Sequence, residues 1–358
     1  MGLGKKRDAA ASGDGLLRVG IIGAGRVGST VGYILGEKGY RLCGVCNRSV
    51  ASTKRAARDL GTRAFDNPVQ LAAESTLVLL TTPDDHIEGV CRRIAREGGF
   101  RPGQVVVHMS GALGSDCLDT AAREGAYPVS IHPLQTFVSF EKRNDLGGVF
   151  CAVEGHPRAL PVARRLVRDL GGRFVEIDPK AKVLYHAAAV VACNYLVGVL
   201  DFATELFAAT GVDRDEALKA LLPLVKGTVD NLERVGIPAA LSGPLARGDV
   251  ETVKAHLSEI QAYEARAGND FQWSLVYRTL GRKTLAVARA RGLDREAAER
   301  LENLLGTTGP DGCREDEERT KGEERTMRRE EGNGRQKNDP GFPAQEVGRQ
   351  EDYHADGL

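Results

Sequence analysis

The sequence predicts an α/β fold, a doubly wound parallel sheet followed by an all-helical second domain, and three observations carry that prediction. An apolar run of Val19, Ile21 and Ile22 passes directly into Gly23-Ala24-Gly25-Arg26-Val27-Gly28, and Val31, Ile34 and Leu35 then recur at helical spacing. Short apolar runs alternate with helical patterns as far as Asp178, the order that a parallel sheet with crossover helices requires. Beyond Pro179 the period is helical to Leu305. With 358 residues the chain exceeds one usual core, and about 150 residues per domain gives two.

The elements follow in order. Residues 1–16 are polar and glycine-rich and are expected to be frayed. Residues 17–178 form the sheet domain, with strands at 17–22, 40–46, 77–80, 105–107, 127–131, 149–153 and 174–177, and with helices at 50–60 and 158–170 among those between them. Residues 179–305 form the helical domain, with helices at 181–209, 213–235, 250–267, 270–291 and 294–305. Residues 306–358 are dense in Glu, Arg, Lys, Gly and Asp, too poor in apolar side chains to bury a core, and are expected to be a disordered tail.

Composition excludes several classes. Lys and Arg number 49 against 49 Asp and Glu and are scattered, so there is no electrostatic footprint for nucleic acid. No apolar run is read as approaching the ~20 residues of a membrane span, and no signal-peptide core is seen, so a cytoplasmic protein without membrane contact is expected. The seven cysteines are odd in number and show no paired framework. Cys43 and Cys46 spell C-x-x-C, but on a strand they face opposite sides and no second pair completes a zinc site. They are read as core packing, and no metal is expected.

The glycine run reads as a cradle for the pyrophosphate of a dinucleotide. Gly23 makes the tight strand-to-helix turn, Gly25 lets the amides of Ala24, Arg26 and Val27 approach phosphate, and Gly28 lets helix pack closely on strand. A positive helix end then faces the anion. After the next strand, where an NAD enzyme usually carries Asp or Glu, this chain has Asn47-Arg48-Ser49. Without a carboxylate to repel it, a 2′-phosphate can be held by Arg48 and Ser49, so NADP is the expected cofactor. The competing reading makes Arg48 a solvated loop residue and Ser49 a helix N-cap.

Ligands gather at the carboxyl ends of parallel strands, which directs attention to three loops. Thr81, Thr82 and Pro83 suit a backbone passing close to the cofactor, with Asp84 or Asp85 read as a cap for the next helix. His108 and Ser110 close one strand, and His132 with Gln135 follows another. A near-neutral pKa lets a histidine donate or accept a proton, although a lone histidine is more often structural. In the helical domain Lys182 and His186 stand four apart on one face, and Asn194 lies within about 80° of His186 by helical geometry. Arg247, in a glycine-rich connector before the N-cap Asp249, can grip a carboxylate or form an ordinary salt bridge.

Taken together, Gly23-Ala24-Gly25-Arg26-Val27-Gly28, His108-Met109-Ser110-Gly111-Ala112-Leu113, His132-Pro133-Leu134-Gln135-Thr136-Phe137 and Gly243-Pro244-Leu245-Ala246-Arg247-Gly248-Asp249 resemble a bacterial family. That family pairs a Rossmann-like NADP oxidoreductase domain with a helical C-terminal domain of unknown function. It is similar to ketopantoate reductases, pyrroline-5-carboxylate reductases and β-hydroxyacid dehydrogenases. The resemblance covers residues 17–305 and implies a helical domain like that of 6-phosphogluconate dehydrogenase, a homodimer through that domain, and reduction of a small carboxylate by NADPH. In the β-hydroxyacid dehydrogenases a catalytic lysine is followed four residues later by asparagine, whereas Lys182 is followed by His186. The expected activity is NADPH-dependent reduction of a small 2-oxo or imino acid, ketopantoate-like first. Lys182 or His186 would be the general acid, Arg247 or Asn194 would hold the carboxylate, and His132 and Ser110 would line the site. The alternative is an NADP-binding sensor without turnover.

Overall fold

The computed structural model describes residues 17–306 apart from 141, 143–144 and 269–271. The expectations for 1–16 and for the tail beyond 306 lie outside the described residues, as does Cys313.

The central strands of the first half are apolar on both faces because helices cover both, whereas the edge strand Arg173–Glu176 is largely exposed. In β1 (Arg18–Ile22), Val19 and Ile21 enter one buried layer and Ile22 the other. In β3 (Leu77–Leu80), Leu77 and Leu79 join the first and Val78 and Leu80 the second. With β2 (Arg41–Cys46), β4 (Val105–His108), β5 (Tyr127–Pro133), β6 (Phe150–Gly155) and β7 (Arg173–Glu176), they form one sheet in the order β2-β1-β3-β4-β5-β6-β7. The helices of this half are α1 (Arg26–Glu37), α2 (Val50–Asp59), α3 (Pro68–Glu74), α4 (Asp84–Arg96), α5 (Asp119–Arg123) and α6 (Leu160–Asp169). Because β2 and β3 flank β1 on opposite sides, the crossovers part there. The carboxyl ends of β1 and β3 therefore border the crevice in which such sheets bind ligands. Cys43 and Cys46 are buried, as core packing requires.

The sheet departs from the all-parallel expectation at one place. β6 runs antiparallel to β5, pairing His132 with Ala152, while every other neighbouring pair is parallel. The reason lies in the connection, residues 134–149, which holds no helix among its described residues and so lacks the usual crossover for a parallel return.

The second half contains α7 (Lys182–Ala192), α8 (Asn194–Ala208), α9 (Arg214–Ala240), α10 (Pro244–Arg247), α11 (Val250–Ala267), α12 (Trp273–Ala290) and α13 (Arg295–Gly306). The single helix expected over 181–209 is divided at Cys193, whose φ of −114° and ψ of −64° depart from the helical values. The helix expected to end at residue 235 continues to Ala240 across a break at Gly236, where φ is 77°. Pro238 follows in the short piece beyond, as suits the first turn of a helix. Val253, Leu257, Leu285, Ala298, Leu301 and Leu305 form the core of α11, α12 and α13.

The chain divides into two compact units, Met1–Asp201 and Phe202–Leu358. The sequence draws the division at Pro179, where composition changes. α7 nonetheless belongs to the first unit, because Lys182, only 1% exposed, is anchored to β5 and β6. One further expectation needs correcting. The stretch Pro179–Ala208 contains an 18-residue window with a mean hydropathy of 1.8, apolar enough by composition to cross a membrane, although the break at Cys193 divides the stretch into two shorter helices. Dispersed alanine and valine make that length without any uniformly apolar run that the eye catches.

Candidate active site

The turn between β1 and α1 is built by three glycines with three different constraints. Gly23 has φ 94°, and a Cβ there would lie 2.4 Å from the Thr82 amide nitrogen, so no side chain fits. A Cβ on Gly28 would stand 2.3 Å from Thr81 Oγ1 and 2.7 Å from the Gly23 carbonyl oxygen. Around Gly25, by contrast, a Cβ would meet nothing nearer than the Gly23 oxygen at 4.0 Å. The crowded glycines hold the turn against β3, and the open one faces free space. α1 begins at Arg26 with no side-chain cap, which leaves the amides of its first turn available to an anion.

The surrounding residues complete the cradle. The Gly23 amide donates to the Cys46 carbonyl at 2.8 Å, and Thr81 Oγ1 donates to the Gly23 carbonyl at 2.9 Å. Asn47 ties the end of β2 to the loop through Nδ2, which reaches the Ala24 carbonyl at 3.4 Å. Ser49 Oγ accepts from the Ser52 amide at 3.2 Å and lies 2.8 Å from Ser52 Oγ. It is thereby used as the N-cap of α2, the competing sequence reading. Arg48 beside it is exposed and forms no ion pair among the described residues. Thr82 Oγ1 is buried without a hydrogen-bond partner, and Pro83, exposed, precedes α4. Buried hydroxyls are rarely left unsatisfied, so Thr82 fits a bound ligand. Open amides, an unpaired arginine and an orphaned hydroxyl together match a phosphorylated dinucleotide.

The histidines divide into two kinds. His108 is fully buried. Its Nδ1 accepts from the Ser110 amide at 3.2 Å, so Nε2 carries the proton and donates to the Gly114 carbonyl at 3.1 Å. Burial, reinforced by the charge of Lys182, lowers its pKa to about 3. This is a satisfied structural histidine. His132 differs: Nδ1 lies 2.9 Å from the Tyr185 hydroxyl, and Nε2 has no partner among the described residues. Burial, with the neighbouring His186 and Lys182, lowers the His132 pKa to about 4, and burial raises that of Tyr185 to about 12. A protonated phenol donates better than it accepts, so we assign the bond as Oη–H to Nδ1, which leaves the proton on Nε2.

His186 meets His132 edge to face, with ring centroids 5.9 Å apart. Its Nδ1 is buried with no hydrogen-bond partner. Both rings converge on Gly111, where a Cβ would lie 2.4 Å from His186 Nδ1 and 2.8 Å from His132 Nε2. Both rings therefore pack against Gly111 beyond the end of β4, and a side chain there would collide with them.

Other expected residues are placed elsewhere. Lys182, expected as a proton donor, is buried: its Nζ donates to Ser130 Oγ and to Glu154 Oε1, the latter at 3.2 Å. Burial lowers its pKa while Glu154 opposes that shift. Ser115 holds Glu154 from the far side, its amide donating to Oε1 at 2.9 Å and its hydroxyl to Oε2 at 2.7 Å. Ser110 Oγ accepts from the Ala112 and Leu113 amides and donates to Asp84 Oδ2 at 2.7 Å, so it shapes the loop. Asp84 thus braces that loop and does not cap α4, whose N-cap is Pro83. Gln135 is exposed, its Oε1 occupied by the Thr136 amide at 2.9 Å. Asn194 is exposed at the start of α8, beyond the Cys193 break that removes it from the face of His186. Arg247 lies in the second unit, on α10. Sequence reasoning missed Tyr185 and Glu154. A lone carboxylate inside the apolar strand β6 was the available signal for a buried cation partner.

Comparisons with known proteins match two stretches of the chain. A Rossmann-like domain family matches residues 6–133, and the domain of unknown function DUF2520 matches residues 149–284. No curated protein sequence matches. Among solved structures, a protein from Bacteroides fragilis described as a candidate NADP oxidoreductase is 21% identical, covering 75% of this chain and 98% of its own, with a TM-score of 0.58. A Thermotoga maritima protein is 24% identical over 76% of this chain and 98% of its own, with a TM-score of 0.57. An imine reductase from Pseudomonas sp. is 18% identical over 81% of this chain and 100% of its own, with a TM-score of 0.53. These likenesses establish a shared fold. The chain joins a Rossmann-like domain to a C-terminal domain of the DUF2520 family.

Proposed function

We propose that this protein is an NADPH-dependent oxidoreductase that reduces a small 2-oxo or imino carboxylate, with ketopantoate-like compounds the first to test. The observation that carries the reading is the pairing of His132 and His186 beside Gly111, each with a ring nitrogen that has no hydrogen-bond partner among the described residues, at the same carboxyl edge of the sheet as the glycine cradle. The structural likenesses to a candidate NADP oxidoreductase and an imine reductase support it. The first-turn amides of α1 would hold the pyrophosphate and Arg48 the 2′-phosphate. Bound there, NADPH supplies a hydride to an electrophilic carbon. His132, neutral at physiological pH, would donate its Nε2–H to the substrate oxygen or nitrogen and stabilise the charge that develops there. Tyr185 is then a positioning residue that selects the His132 tautomer. Lys182 would act through the fold, by holding Ser130 and Glu154 beneath the histidines.

A homodimer belongs to the same reading. Val183, Leu184, Val191, Leu196 and Val197 are all exposed on α7 and α8, and an apolar patch of this kind calls for a protein partner. The break at Cys193 leaves helices of 11 and 15 residues, each short of the ~20 that span a bilayer.

Two measurements test the function. NADPH oxidation is followed against a panel of 2-oxo acids, including ketopantoate, and cyclic imino acids. At least one should be turned over, with kcat/KM lowered about a hundredfold in His132→Ala. In the binding arm, Gly25→Val should weaken NADPH about tenfold or more while keeping the thermal midpoint within about 2 °C, since its side chain enters only the open space. Arg48→Met should reduce the preference for NADPH over NADH by a similar factor. Failure of both dinucleotides to bind would remove the reading. Binding without turnover would favour the second reading, a dinucleotide sensor, which has one observation behind it: the cation expected to donate a proton is sequestered by Glu154.

A further inference from the structure

The second unit holds a cavity that the reductase reading does not use. Its walls are the part of α9 around the Gly236 break, residues 241–243, α10 and the turn after α12, and its volume is about 480 Å³. Arg234, Arg247 and Arg291 line it together with Ser242, and no carboxylate does.

None of these arginines forms an ion pair among the described residues. Arg234 Nη2 donates to the Asn231 side-chain oxygen at 2.8 Å, and Arg291 Nη1 donates to the Leu241 carbonyl; both acceptors are uncharged. Asp249, the carboxylate nearest to Arg247 in sequence, is hydrogen-bonded as the cap of α11, accepting from the Thr252 amide at 3.0 Å and from its hydroxyl at 2.7 Å, and the Arg247 charge adds only a lesser share to the lowering of its pKa. Val235, Ala239, Ala240 and Leu293 supply apolar wall between the cations. Guanidinium groups match oxyanions through parallel hydrogen bonds, and three of them without an acid favour a ligand of two negative charges.

We propose that this cavity binds a small organic dianion, its anionic oxygens held by Arg247 and Arg291 and its short carbon frame lying on the apolar wall. The shared chemistry is that of a dicarboxylate or a phosphate monoester. The site requires no dinucleotide, so it stands or fails apart from the proposed reductase activity.

Calorimetric titration of the full chain with succinate, and separately with inorganic phosphate, tests it. The expected result is saturable heat at one site per chain with at least one of the two anions, weakened about tenfold or more by Arg247→Met and by Arg291→Met. Thermal midpoints of the variants check that they fold, and Arg247→Lys, which keeps the charge but loses the fork, should bind with intermediate affinity. Phosphate can also enter the glycine cradle. Phosphate heat that survives Arg247→Met while succinate heat does not would therefore assign the cavity to dicarboxylates and support the proposal. Absence of saturable heat with both anions, or undiminished affinity for both in the two methionine variants, overturns it.

Discussion

Replacing Lys182 with methionine is expected to destabilise the fold by about 3–5 kcal/mol, measured as a fall in the urea midpoint at pH 7. The ammonium group lies in a region from which water is excluded, and both it and Glu154 are about 2% exposed at the side chain. Taking away the cation leaves a buried carboxylate whose remaining partners, the amide and hydroxyl of Ser115, are uncharged. The cost is the desolvation of an unpaired charge, which neighbouring dipoles offset only in part. A second substitution separates this from lost packing. Lys182→Met combined with Glu154→Gln removes both charges, keeps the hydrogen bond from the Ser115 amide, and should recover most of the stability, giving a coupling energy of about 2 kcal/mol or more in the double-mutant cycle. A lysine serving only as a proton donor would behave differently, with turnover lost and the urea midpoint unchanged.

How much of this was legible in the chain depends on whether the governing constraint is local. The cradle was legible because Gly23, Gly25 and Gly28 answer to the sterics of a single strand-to-helix turn, and those sterics repeat wherever the turn is made. His132 was legible as a residue near a strand end. Its partner Tyr185 was not, because the two lie 53 positions apart and only the docking of α7 brings them together. The same holds for Lys182. Helical period places it on a face, but the direction of that face is decided by where Ser130 and Glu154 stand on β5 and β6. Gln135 is read from residue type, which says nothing of direction, and its amide folds onto its own neighbour; Asn194 is read from a helical period that assumes an unbroken helix, and the break at Cys193 turns it aside. The reversal of β6 was hidden for a related reason, since strand direction depends on whether the preceding connection contains a helix.

Acid should unfold this protein at a higher pH than its carboxylates alone would dictate, with about 4 kcal/mol of stability lost between pH 7 and pH 5. The cause is a pair of histidines held neutral. Burial first, with the charge of Lys182 adding to it, lowers His108 to about 3, and burial with His186 and Lys182 lowers His132 to about 4. In the unfolded chain both return to about 6.5. Between these limits the unfolded state binds protons that the folded state refuses, so falling pH favours unfolding. The stabilisation is complete above pH 6.5 and declines by about 1.4 kcal/mol per pH unit for each ring, until pH 4 for His132 and pH 3 for His108. At pH 5 the decline has run for about one and a half units on two rings, about 2 kcal/mol each. Urea midpoints at pH 7, 6 and 5 measure it directly. His108→Gln supplies the control, because its amide can still donate to the Gly114 carbonyl but takes up no proton, and it should remove about half of the slope. A slope unchanged by that substitution would mean that the His108 ring already carries its proton in the native state, and the neutral, Nε2-protonated assignment at the end of β4 would have to be given up.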